Sequence, residues 1–179
     1  MSVQIALFET PLGPGGVAWG ENGIVGIQLP ELNAANIRAS LKRRFPGAIE
    51  SEPNHEVAAA IAEMQSLLRG EPCTLSAVRL DMQRVPEFAQ QVYAVARTVR
   101  PGETVTYGGI AKRLGDPLLA RDVGQALARN PFPIVVPCHR VLAAGGKLGG
   151  FSAAGGVETK QRLLAIERAN VSWQPRLEV

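Results

Sequence analysis

The chain has 179 residues, 46% of them hydrophobic and 20% charged, enough for one large domain or two small ones with their own cores. It holds no apolar run near the roughly 20 residues of a membrane span, and its start, MSVQIALFET, lacks the basic and apolar regions of a signal peptide, so a cytoplasmic protein with no membrane partner is expected. The formal charge of +3 is uneven: residues 1–85 carry 7 Lys+Arg against 9 Asp+Glu and residues 86–179 carry 12 against 7, a basic C-terminal half that fits either a phosphate-rich partner or a solvated face.

The first thirty residues read as β-structure. Val3, Ile5 and Leu7 alternate, a Pro-Leu-Gly-Pro-Gly-Gly stretch turns the chain, and Val17 and Trp19 alternate after it. Asn22-Gly23 is a hairpin signal before Val25, Ile27 and Leu29. Three antiparallel strands are predicted. Two helices should follow, one with Ile37, Leu41 and Phe45 on a shared face, the other with Val57, Ile61, Met64 and Leu68. Asn54 is the candidate N-cap of the second and Gly70 lies just past its end.

Periodicity breaks around Arg84-Val85-Pro86, where the charge also changes, so the domain boundary is placed between residues 85 and 86. Beyond it, Phe88, Val92, Val95 and Val99 predict a helix that Arg100-Pro101-Gly102 stops. A short helix from about Tyr107 to Leu114 and another from about Leu118 to Arg129 flank the turn at Gly115-Asp116-Pro117. The pair is compatible with a helix-turn-helix, a pattern shared by helical proteins that bind no DNA. On the second helix Leu119, Val123 and Leu127 should pack inward, while Arg121, Gln125 and Arg129 project together toward solvent or DNA. The fold class expected is α+β, a three-stranded antiparallel sheet with helices followed by a mostly α domain.

Residues 130–152, NPFPIVVPCHRVLAAGGKLGGFS, are the most distinctive stretch. A short apolar run between Pro133 and Pro137 delivers Cys138-His139-Arg140 in a constrained geometry. A free thiol has a pKa near 8.5, which leaves only about 3% thiolate at pH 7. An imidazole that takes the proton, with positive potential from Arg140, would favour the ionised form. In KQRLLAIER, Glu167 shares a helical stripe with Leu163, Leu164 and Lys160, and a carboxylate there is costly unless paired. His139 is one candidate partner; Arg162 or Arg168 at the surface is the other. With two cysteines and two histidines in the chain, neither a disulfide framework nor a Cys/His zinc site is expected, and no cofactor is implied. Cys73 is read as a spectator thiol.

The stretch PCHR, the NP-x-P run before it and the GGFS segment after it resemble the active-site signature of the O6-alkylguanine-DNA alkyltransferases. So do ARDVGQALARNP and GETVTYGGIA upstream. The likeness is close over residues 86–168 and loose before. It implies a ribonuclease-H-like domain over 1–85 and a DNA-binding and active-site domain over 86–179. The implied activity is irreversible, single-turnover transfer of the alkyl group of O6-alkylguanine in double-stranded DNA, with O4-alkylthymine a further candidate lesion, by a monomer that flips the damaged base. Carried over residue by residue, Cys138 is the nucleophile, His139 its base and Glu167 the orienting carboxylate. Asn130 holds the turn ahead of the site. Arg121 fills the stack, and Gln125, Arg129 and Arg140 contact DNA. Tyr107, Pro133, Val141, Phe151 and Ser152 form the base pocket, with Lys160 nearby. Asp122, Arg162 and the long 152–156 segment depart from the family pattern.

Overall fold

Alternation in the first strands builds a sheet that is buried on both faces. β1 (Gln4–Phe8), β2 (Gly15–Gly20) and β3 (Gly23–Gln28) pair antiparallel, as predicted. The computed structural model describes residues 2–153 and 155–169; Ala154, in the long segment noted above, and residues 170–179 lie outside them. A fourth strand that periodicity could not show, β4 (Ile49–Glu50), joins β1 in parallel, so the sheet order is β3-β2-β1-β4. Two residues are too few to carry an alternation signal.

α1 (Ala34–Arg44) covers one face, where Ile37 and Leu41 close a small core with Ile5 and Ala18. The helix sits so close that a Cβ on Gly16 would meet Leu41 Cδ1 at 2.6 Å and Ile37 Cγ2 at 2.7 Å. α2 (His55–Leu68) covers the other face with Val57, Ile61, Met64 and Leu68, and Asn54 caps it by accepting the Val57 N–H. That second core does not stop at residue 85. Trp19, Ile24 and Ile27 belong to one cluster with Val92, Val123, Phe132 and Val136.

α3 (Glu87–Ala96) buries Ala89, Val92, Tyr93 and Ala96, with Phe88 and Val95 partly covered. Tyr93 was not foreseen as a core residue; its hydroxyl donates to the Ala126 carbonyl at 2.9 Å, which satisfies its one polar atom. That bond ties α3 to α5 (Ala120–Ala128). The helix expected from Leu118 begins instead as a 3-10 turn at Pro117–Leu119, N-capped by Asp116. α4 (Tyr107–Arg113) precedes it, capped by Thr106, and α4 and α5 form the helix-turn-helix. A parallel pair of two-residue strands, β5 (Val105–Thr106) and β6 (Val141–Leu142), draws the start of α4 to the chain that follows Cys138. α6 (Gly156–Ile166) closes the fold. No helix among the described residues is long and apolar enough to cross a membrane.

Candidate active site

Three segments converge on Cys138: the turn that begins at Asn130, the end of α6 and the start of α4. Asn130 organises the first. Its Nδ2 donates to the Val136 carbonyl at 2.9 Å and its Oδ1 accepts the Phe132 N–H at 2.9 Å. Inside this turn Ile134 has φ +75°, a left-handed conformation that is rare for a β-branched residue and costs about 1–3 kcal/mol. Ile134 is 1% exposed, so packing and the two Asn130 bonds over-determine it. The main chain of β3 also holds the turn, through Ile27 N–H to the Pro131 carbonyl at 2.8 Å.

Cys138, His139 and Arg140 form a single 3-10 turn. His139 is buried, and its Nε2 lies 2.8 Å from Glu167 Oε1. A carboxylate oxygen only accepts, so Nε2 carries the proton. Nδ1 is then the basic nitrogen, and it is buried with no hydrogen-bond partner among the described residues. Glu167 caps the C-terminus of α6 with its side chain 3% exposed. Of its two sequence-based partners, the surface arginines are not used: Arg162 pairs with Glu158 instead.

Arg140 corrects an expectation. It is not at the surface to meet DNA but 4% exposed. Its Nε and Nη2 bond the two Glu167 oxygens and its Nη1 donates to the Val99 carbonyl at 2.6 Å. The apolar flanks of Arg140, Val135-Val136 and Val141-Leu142, were the available signal, since a charge in such a run must be paired internally.

Electrostatics correct a second expectation. Burial pushes the Cys138 thiol up, although a hydrogen bond with Asn130 and the Lys160 charge pull it down. The resting thiol is therefore protonated at neutral pH. Burial likewise holds His139 below its ordinary value, against the pull of Glu167, so the ring is neutral and able to take a proton. Burial raises Glu167, but bonds from His139 and Arg140 outweigh it and bring the carboxyl down to about 2. The cation facing the thiol is Lys160, not Arg140. Lys160 is fully buried, its Nζ donates to the Val141 carbonyl at 2.6 Å, and burial lowers it to about 8.

Two cavities share Cys138, Phe151, Ser152, Leu127 and Ala128 as wall. One, of about 340 Å³, is lined also by Tyr107 and Gly124; the other, of about 440 Å³, by Pro133 and residues of β3. Ser152 Oγ donates to the Ala128 carbonyl at 2.8 Å, which links the rim to the end of α5. Lys160 Nζ stands 6.0 Å from the ring centres of both Tyr107 and Phe151. Val141 lines neither cavity. It is buried in β6 with its N–H bonded to the Cys138 carbonyl and its carbonyl to Lys160. Arg121 and Gln125 on α5 and Arg129 just past its C-terminus are all exposed, while Val123 and Leu127 face the core. Sequence reasoning missed the Arg140–Glu167 pair and the approach of β3 and Arg44 to Pro131, contacts that join residues far apart in the chain and leave no local pattern.

Comparison with known proteins adds to this geometry. Residues 87–169 match the family model described as 6-O-methylguanine DNA methyltransferase, DNA binding domain. A methylated-DNA–protein-cysteine methyltransferase of Methanosarcina acetivorans is 34% identical over 166 residues, 90% of this chain and 96% of the relative. A protein of the same description from Mycolicibacterium paratuberculosis is 45% identical over 111 residues, which span 62% of this chain and 65% of the relative. The crystal structure of Mycobacterium tuberculosis OGT in complex with DNA superposes with a TM-score of 0.75 at 31% identity and 92% coverage of both chains.

Proposed function

Because the chain belongs to the methylated-DNA–protein-cysteine methyltransferase family, we propose that Cys138 is the acceptor to which it transfers alkyl groups from O6 of guanine in DNA. The observation that carries this reading is the relay behind the cysteine: a neutral, buried His139 oriented by Glu167, with Nδ1 as its free base. The thiol gives its proton to that imidazole, and the Glu167 carboxylate stabilises the imidazolium that forms. The Sγ–carbon bond forms as the carbon–O6 bond breaks, and the electron pair returns to guanine as its carbonyl. The product is a thioether with no easy leaving path, so each molecule reacts once.

The other roles belong to the same reading. The reacting carbon hangs inside the duplex, so the nucleotide must leave the stack, at a cost of a few kcal/mol. The exposed Arg121 fills the space it vacates, and Gln125 and Arg129 follow the backbone. The flipped base enters between Tyr107, Phe151 and Ser152, with Pro133 at its edge. Asn130 holds the turn and the thiol. Sparse readout in the minor groove suits scanning without regard to sequence. We place the protein in the cytoplasm as a monomer, with residues 1–85 and 86–179 as its two functional parts.

A stoichiometric assay tests this reading. Duplex DNA with O6-methylguanine should lose its methyl group in equimolar amount to the protein, and mass spectrometry should place one methyl group on the peptide with Cys138. Multiple turnovers, as from a cysteine hydrolase, or an unmodified Cys138 after repair would reject it.

A further inference from the structure

Four large apolar side chains are exposed among the described residues, and one of them, Leu118, is 88% open to solvent. The others, Leu32, Ile49 and Val157, lie on other elements. A lone exposed leucine is ordinary on a protein surface; the place and the rigidity of this one are not. Leu118 stands in the 3-10 turn Pro117–Leu119 that leads into α5, three residues before Arg121. Residues i and i+3 share a face in both 3-10 and α geometry. Leu118 therefore continues the exposed row of Arg121 and Gln125, opposite the buried Val123 and Leu127.

The turn holds Leu118 firmly. Pro117 fixes its own φ just ahead of it. The Asp116 carboxylate accepts the Leu118 N–H at 2.9 Å, and the Asp116 carbonyl accepts the Leu119 N–H at 3.2 Å. Leu119 and Ala120, the next two residues, pack against the core. An apolar side chain is thus presented to solvent on a backbone anchored from both ends. Such a group gives up little further freedom when it meets a partner.

The row it extends says what that partner is. Arg121 and Gln125 are the side chains assigned above to the damaged duplex. With about 1.5–2 Å of rise per residue, Leu118 and Arg121 stand about 5 Å apart along the axis. That exceeds the roughly 3.4 Å between stacked bases. When Arg121 fills the gap left by the flipped nucleotide, Leu118 accordingly reaches a neighbouring step. Leucine can make no hydrogen bond to a base edge or a phosphate. What an apolar side chain does in a minor groove is press between base pairs and unstack them.

We propose that Leu118 is an apolar wedge that enters the minor groove at the base step beside the damaged nucleotide and holds open the stack that Arg121 fills. This rests on the alkyl-transfer reading with α5 on the DNA, and adds a second residue to base extrusion. It also gives the protein a sensitivity to sequence context. Pyrimidine–purine steps such as TA unstack easily, whereas A-tracts are stiff. The wedge therefore matters most where the flanking step resists opening.

The test compares single-turnover repair of O6-methylguanine in two duplexes, one with an A-tract beside the lesion and one with a TA step. Leu118→Ala and Leu118→Gln should slow repair beside the A-tract by roughly tenfold, about 1.4 kcal/mol, and clearly less beside the TA step. Leu118→Met, which keeps an apolar body of similar length, should repair both at the wild-type rate. Transfer from free O6-benzylguanine and the melting temperature should not move in any variant, because the side chain is exposed and only the duplex meets it. Unchanged repair in the alanine and glutamine variants overturns the wedge. Equal slowing on both duplexes overturns it as well, and so does glutamine that works as well as methionine. A lowered melting temperature with equal loss on the free base would assign Leu118 to the fold instead. Failure of the wild-type protein on both duplexes would reject the underlying alkyl transfer.

Discussion

Arg140 grips Glu167 at two points, Nε on Oε2 at 2.9 Å and Nη2 on Oε1 at 2.7 Å. The same Oε1 faces His139 Nε2, so one buried carboxylate is shared between an arginine and the imidazole. Arg140 supplies the charge that keeps Glu167 ionised, and Glu167 fixes the tautomer of His139. The arginine acts on the relay from behind rather than on DNA.

That arrangement makes stability depend on acid. Glu167 falls from 4.5 to about 2 on folding, and His139 falls below its 6.5. Both groups bind more protons in the unfolded chain at low pH, so both lose stabilising effect as pH falls. The contribution of His139 is intact above about 6.5 and declines below it. That of Glu167 is intact above 4.5 and declines toward 2. The melting temperature should therefore drop in two stages between neutral pH and pH 3. A melting temperature that stays flat across this range would contradict a buried, ionised Glu167.

Glu167→Gln should slow alkyl transfer on the order of 100-fold, the usual worth of a positioned acid–base system. Gln cannot stabilise an imidazolium as a carboxylate does, and it leaves Arg140 buried without its counter-charge, at a cost of up to about 3–5 kcal/mol. Rates must therefore be read well below the lowered melting temperature. DNA affinity should stay near wild type, because Glu167 is buried behind the site. An unchanged transfer rate would remove Glu167 from the relay.

Lys160→Met should make Cys138 a poorer nucleophile. Met keeps an apolar body in a fully buried position while it removes the charge that pulls the thiol down. In a Cys73→Ser background, the pH profile of Cys138 alkylation by iodoacetamide should move to higher pH, because the Lys160 charge that favours the thiolate is gone. Wild-type Lys160 has its own alkaline signature. Its pKa falls from 10.5 to about 8 on folding, so burial of its charge destabilises the fold fully below 8 and is relieved between about 8 and 10.5. A thiol profile identical in the variant would show that Lys160 serves only the Val141 carbonyl.

The division between what sequence showed and what it hid follows from range. Asn54 as a cap, the strand alternation and the outward row Arg121, Gln125, Arg129 are local patterns, and each could be read from neighbours a few residues apart. Contact between His139 and Glu167 spans 28 residues. It could be anticipated because a carboxylate on an apolar stripe demands a partner, but nothing local chose between His139 and the surface arginines Arg162 and Arg168, and nothing pointed to Arg140, which the structure uses together with His139. The sign of the Cys138 shift was inaccessible for a related reason. Burial depends on how far α4, α5 and β3 close over the turn, and that is a property of the assembled core.

Arg121 offers the sharpest separation of DNA handling from chemistry. It is exposed near the start of α5, outside both cavities that border Cys138. If it fills the stack that the damaged base leaves, its effect appears only when there is a stack to leave. Arg121→Ala should then slow repair of O6-methylguanine in a duplex by roughly 10- to 100-fold, within the few kcal/mol that flipping costs. Transfer from free O6-benzylguanine involves no flipping and should fall far less. Asp122, beside it in the first turn, supplies a control of opposite sign: Asp122→Ala removes a negative charge near the phosphates and should tighten duplex binding, most clearly at low salt. Equal losses of Arg121→Ala on duplex and free base would overturn the stack-filling role and place Arg121 in the chemistry of the pocket.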